Sequence, residues 1–140
     1  RIGGERYGCS LSGSKIEDIN NRSKSDVVLL HTHPTDASFS GEDVLVLLEN
    51  KGFNSILALS PTHTYILSKK GSRRRIWKRD DGERALSAWN RYRNDLDDEI
   101  QFDVAKGTSL NTIVSRYGHQ IMEGVSSEFG LTYTRVELNG

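Results

Sequence analysis

Apolar and polar positions divide the chain into two regimes. From residue 26 to residue 68 apolar residues fall in short, nearly unbroken runs, whereas beyond residue 81 they recur every three or four positions. The first regime is that of strands and the second that of amphipathic helices. Residues 26–30 (DVVLL) form a β-favouring run that reads as a central strand buried on both faces. Residues 40–51 read as a helix, with Ser40 at the N-cap, Val44, Leu47 and Leu48 as an apolar stripe and Gly52 at C′. Strands at 55–60 and 64–68 follow, joined by Pro61-Thr62-His63, and Gly71-Ser72 marks a hairpin turn into a strand around 74–79. Ala85, Trp89, Tyr92, Leu96 and Ile100 share one helical face, Gly107-Thr108 breaks it, and a second stripe runs from Leu110 to Phe129 before Gly130. Residues 131–138 (LTYTRVEL) alternate as a last strand. The first 25 residues are rich in Gly, Ser and Asn, with apolar touches at Tyr7, Leu11, Ile16 and Ile19, and read as short strands and turns.

This order predicts an α/β (α+β) fold: a mixed β-sheet with flanking helices and a C-terminal helical hairpin. At 140 residues one domain is expected, with residues 1–80 as one half and 81–140 as the helical half with the final strand. Hydrophobic residues at 35% and charged residues at 27% exclude a disordered or membrane-embedded class. Nineteen basic against nineteen acidic side chains leave no net charge to recruit nucleic acid or an anionic membrane. Cys9 is the single cysteine, so an intramolecular disulfide and a Cys-rich zinc site are excluded. No signal-peptide pattern is visible, and a cytoplasmic or intracellular location is expected. The opening RIGGERYG reads as mid-domain, as in a piece of a longer protein.

The chemistry concentrates in His31-Thr32-His33-Pro34 and Ser40-Gly41-Glu42-Asp43. Residues two apart on a strand share a face, so His31 and His33 project together at a strand's end. Asp43, in the first turn of the next helix, can be swung back over that end by a short loop. Two imidazoles and one carboxylate are a three-donor set for zinc, and a fourth position left to water is the mark of a catalytic site. Each part also has a plain reading. A His-x-His pair is often mere decoration, and Ser-x-x-Asp before an apolar run is a helix start. The two readings are compatible, since Ser40 can cap the helix while its hydroxyl faces the metal-bound water.

His31-x-His33-Pro34 followed by Ser40-x-x-Asp43 resembles the signature of the JAMM (MPN+, or JAB) metalloprotease family. The resemblance extends from Glu5 to about Ser68, with a loop one residue shorter than usual before Ser40. It implies a single catalytic zinc, hydrolysis of peptide or isopeptide bonds, and a protein or peptide substrate, with ubiquitin-like proteins as one candidate. Glu5-Arg-Tyr-Gly8-Cys-Ser-Leu11 looks like the family's upstream Glu-x-x-Gly-x-x-Leu, and by that resemblance Glu5 is the general base, with Glu17 as the fallback. Against this stands a non-catalytic binding or assembly module on the same fold, within a larger bacterial or phage protein. A metal-dependent nuclease using the basic run Lys69, Lys70, Arg73, Arg74, Arg75, Lys78 and Arg79 is a weaker third reading, because the sequence shows no second metal-binding carboxylate cluster, and a charged hairpin edge is the plainer reading of that run. Cys9 with His63 lacks an orienting partner for nucleophilic catalysis, and His119 reads as a packed or surface histidine.

Overall fold

Alternation decides which residues of the first strand reach the core. In the computed structural model, which describes residues 27–69 and 77–138, strand β1 (Val27–Thr32) turns Leu29 and His31 inward and Val28, Leu30 and Thr32 outward. Helix α1 (Gly41–Glu49) carries the chain back so that β2 (Phe53–Leu59) pairs with β1 in parallel, with Leu29 opposite Ile56 and His31 opposite Ala58. Strand β3 (His63–Ser68) returns antiparallel to β2, and the last strand, β4 (Thr132–Glu137), pairs antiparallel with β3. The described sheet thus has the order β1-β2-β3-β4 and is mixed. Between β3 and β4 lie α2 (Asp81–Asp95), α3 (Asp97–Ala105) and α4 (Leu110–Phe129). The expected mixed α+β class is what the chain adopts.

Among the described residues the main core lies between one sheet face and the helices, and a smaller cluster of Ile100, Ile113 and Tyr117 joins α3 to α4. Leu29, Ile56, Ala58, Tyr65 and Leu67 of the sheet meet Val44 and Leu47 of α1, Ala85 and Ala88 of α2, and Met122 and Val125 of α4. Burial of a single such aliphatic side chain stabilises the fold by about 1.5–3 kcal/mol. Helix α4 stops at Gly130, whose φ of 70° is a left-handed conformation that a Cβ would oppose. No helix among the described residues is long and apolar enough to cross a membrane.

Four sequence expectations are corrected. Strand 26–30 was expected to be central and buried on both faces. Among the described residues β1 is an edge strand, with Val28 49% and Leu30 50% exposed. An apolar run satisfies a buried face equally well whether or not the opposite face is covered, so the run does not encode which. The expected strand at 74–79 is not seen over its described part, residues 77–79. There Asp81 accepts from Lys78 N (2.7 Å) and its own N–H donates to Lys78 O (3.0 Å), a turn that starts α2. The partner of β3 is the alternating segment of β4 instead.

The single stripe from Ala85 to Ile100 is two helices meeting at Leu96, so the C-terminal region holds three helices rather than a hairpin. Asp97, Asp98 and Glu99 favour a new N-terminus there through the helix dipole, while Leu96 and Ile100 keep the apolar spacing and conceal the break. Helix α1 ends with Asn50 in extended geometry rather than with Gly52 as a left-handed C′, and Asn50 Nδ2 donates to Val46 O (2.8 Å). The expected short strands of the first 25 residues lie outside the described residues.

Candidate metal centre

The strand period that buries Leu29 also buries the two histidines. His33 lies just past β1, but its N–H donates to Leu59 O (2.7 Å), so the parallel pairing runs one residue further and keeps His33 on the face of His31. Both are buried, at 6% and 7% exposure, and their ring centroids are 4.8 Å apart. The Phe39 ring stands 6.4 Å from each and closes the site from the core side.

Asp43 arrives through a capping box. Ser40 Oγ accepts from Asp43 N (3.2 Å), and Asp43 Oδ2 accepts from Ser40 N (2.9 Å). The box that starts α1 therefore also orients the carboxylate. Its Oδ2 lies 3.8 Å from His33 Nε2. One donor atom each from His31, His33 and Asp43 all fall within 4.8 Å of one another. Donors around a tetrahedral zinc are roughly 3.3 Å apart. The set is therefore somewhat wider than a bound zinc would hold it.

Two features fit a metal better than a packed polar cluster. His31 Nε2 is fully buried and meets no hydrogen-bond partner among the described residues, which is costly for an imidazole nitrogen that no ligand engages. Burial, with a smaller push from His33, lowers the His31 pKa against the opposing pull of Asp43, so the ring is neutral and keeps a lone pair at neutral pH. His33 Nδ1–H donates to Ala37 O (2.8 Å), which fixes the tautomer whose Nε2, on the side of Asp43, carries a lone pair that can ligate a metal. The residues can hold a divalent metal ion.

The loop between β1 and α1 is held by a residue that the sequence did not single out. Asp36 Oδ1 accepts from Thr62 N (2.9 Å) and Ser60 Oγ (3.2 Å) in the β2–β3 turn, and Oδ2 accepts from Asn111 Nδ2 (2.8 Å) at the start of α4. Tyr65 Oη donates to Asp36 O (2.7 Å). Hydrogen bonds, first those from Thr62 and Asn111, hold the carboxyl down at about 2 against the effect of burial. A buried Asp one residue beyond His-Pro-Thr was the available signal, but in the sequence it looks like any turn aspartate. Trp89 Nε1 donates to Phe39 O (3.1 Å), and the Ser38 and Tyr133 hydroxyls meet at 2.8 Å, tying the same loop to α2 and β4.

The site opens on a cleft of about 530 Å³. It is lined by His33, Ser40 and Asp43, by Trp89 and Arg93 of α2, by Ile100, Gln101 and Val104 of α3, and by α4 residues between Leu110 and Ile121. The sequence placed these helices in the fold but assigned them no part in the site.

Glu5, Glu17 and Cys9 lie outside the described residues, as do residues 70–76 of the basic run. The Nδ1 of His63 meets its neighbour Thr62 Oγ1 (2.8 Å). His119 packs as expected, with Nδ1 against Tyr133 Oη (2.9 Å) and Nε2 3.4 Å from Glu123. No protein-family model, curated protein or solved structure matches this chain.

Proposed function

We propose that the chain is a JAMM-type zinc peptidase, hydrolysing a peptide or isopeptide bond of a protein or peptide substrate. The observation that carries this reading is the His31–His33–Asp43 cluster, both histidines buried and one with an imidazole nitrogen that meets no partner among the described residues, of which His33 and Asp43 line a mostly apolar cleft. Two nitrogens and one carboxylate oxygen are the donor types of a catalytic rather than a structural zinc. When bound, zinc supplies Lewis acidity, polarising the scissile carbonyl and bringing the pKa of a coordinated water toward neutrality.

The chain's own residues do the rest. His33 is held in its donor tautomer by Ala37, and Asp43 is held in its rotamer by the Ser40 N–H. Ser40 Oγ accepts from the backbone, which leaves its own proton to donate to the carbonyl oxygen as negative charge develops there. Glu5 takes a proton from the attacking water and delivers it to the leaving nitrogen. The oxygen of water joins the carbonyl carbon, the C–N bond breaks, and one acid and one amine are released.

The test is cleavage of a peptide mixture by zinc-loaded protein, followed by mass spectrometry, beside the Glu5→Gln variant. Zinc-dependent cleavage that falls by about 10²–10⁴ in Glu5→Gln, with zinc still bound, supports the reading. Undiminished cleavage in that variant contradicts the role of Glu5. Stoichiometric zinc with no cleavage of any peptide favours the non-catalytic module instead.

A further inference from the structure

The cleft beside the metal cluster is chemically lopsided. His33, Ser40, Asp43, Arg93 and Gln101 give it polar groups, whereas most of the rest of its lining is apolar, including Phe39, Trp89, Ile100, Ile113, Val114 and Ile121. At about 530 Å³ it is within the range of roughly 300–1,000 Å³ that encloses small ligands and side chains. Two further apolar residues of its lining, Val104 and Leu110, are 53% and 72% exposed and flank the α3–α4 turn. Large apolar side chains left in water at the rim of an apolar cleft are a contact surface rather than part of the core.

We propose that this cleft is a specificity pocket for a bulky apolar side chain, aromatic or branched aliphatic, on the peptide next to the scissile bond. The inference rests on the proposed hydrolysis for the word "scissile", but the pocket itself does not depend on it. Continuity argues for this occupant: His33 and Asp43 line the same cleft as the apolar residues of α2 and α4, so a chain presenting its carbonyl to them brings a neighbouring side chain against those helices. A glycine or alanine there leaves most of the apolar lining wet. Transfer of apolar area from water distinguishes large from small residues by tenfold or more. The three helices that carry the walls lie beyond the JAMM-like segment, which gives them a role in choosing the substrate.

Trp89 lines the cleft and serves as reporter. With Trp77→Phe it is the sole tryptophan of the chain. Metal-free Trp77→Phe protein is titrated with blocked peptides acetyl-Ala-Xaa-Ala-amide, Xaa being Gly, Ala, Leu or Phe, and the Trp89 fluorescence followed. The Leu and Phe peptides bind at least tenfold more tightly than the Gly peptide. Adding Leu110→Asp, a change at an exposed rim position, cuts that advantage threefold or more without altering zinc content. In the zinc-loaded protein, bonds beside Phe, Leu, Ile or Trp are cut at least tenfold faster than bonds beside Gly or Ala. Equal or tighter binding of the Gly peptide, or cleavage indifferent to side-chain size, overturns the proposal. Selective binding of the Phe peptide with no cleavage in the zinc-loaded protein sustains the pocket and overturns the hydrolysis.

Discussion

His33 uses its two ring nitrogens for different ends. Nδ1 is committed to Ala37 O, and Nε2 faces the carboxylate of Asp43. His33→Ala removes a candidate metal ligand together with one of the bonds within the loop, that to Ala37 O. Elemental analysis of this variant is expected to show at least two-thirds of the zinc lost, with the circular dichroism spectrum retained because Leu47, Ile56 and Val125 hold the core elsewhere. Stoichiometric zinc in His33→Ala is the contrary result. Ser40 acts through both its backbone and its hydroxyl. Ser40→Ala deletes the hydroxyl acceptor of Asp43 N but leaves the backbone donor to Asp43 Oδ2. Its expected signature in denaturant titration is a loss of about 0.5–2 kcal/mol. Zinc content changes less than in His33→Ala. At this scale the sequence was informative, because the strand period of two puts His31 and His33 on one face and the capping box sets Asp43 at the helix start, two local rules; the loop that joins them was not legible. Asp36 was hidden since its partners, Thr62 and Asn111, are 26 and 75 residues away.

At the scale of elements, the β1–α1 loop is stapled to the β2–β3 turn and to α4 through the Asp36 carboxylate. The folded pKa of this group, about 2, lies below that of an unfolded aspartate, about 3.9. The unfolded chain therefore binds the proton more readily. The stabilisation is complete above about pH 4 and is lost as the pH falls through about 2. Urea titrations of wild type and Asp36→Asn as a function of pH are expected to differ most above pH 4 and to converge in acid. A difference that grows on acidification contradicts the assignment. Helix α4 offers a second test. A Cβ on Gly124 comes within 2.6–2.9 Å of three ring atoms of Tyr92 on α2, so Gly124→Ala should cost about 1–3 kcal/mol in the same titration unless the ring swings clear. Element type was legible wherever the periodicity was clean, as in α4. Boundaries failed where stripe and backbone disagree: the apolar spacing through Leu96 is continuous, yet the acidic residues on either side of it end one helix and start another.

Across the whole molecule, the His31–His33–Asp43 cluster lies where the C-terminal end of a parallel strand meets the N-terminus of the following helix, a natural place for a site in a βαβ unit. The helical region then walls the cleft into which that site opens. This arrangement could not be read from the sequence, since the wall residues look like the core stripes of ordinary amphipathic helices. Only packing shows that Val104 and Leu110 fall at a rim instead of inside. The central claim is that His31, His33 and Asp43 hold one catalytic zinc, and X-ray absorption at the zinc edge of the zinc-loaded protein tests it most directly. The account predicts one zinc per chain with two imidazole nitrogens at about 2.0–2.1 Å, a carboxylate oxygen at about 2.0–2.2 Å and one further light-atom ligand. A shell without two imidazoles, or zinc far below one equivalent, would contradict it.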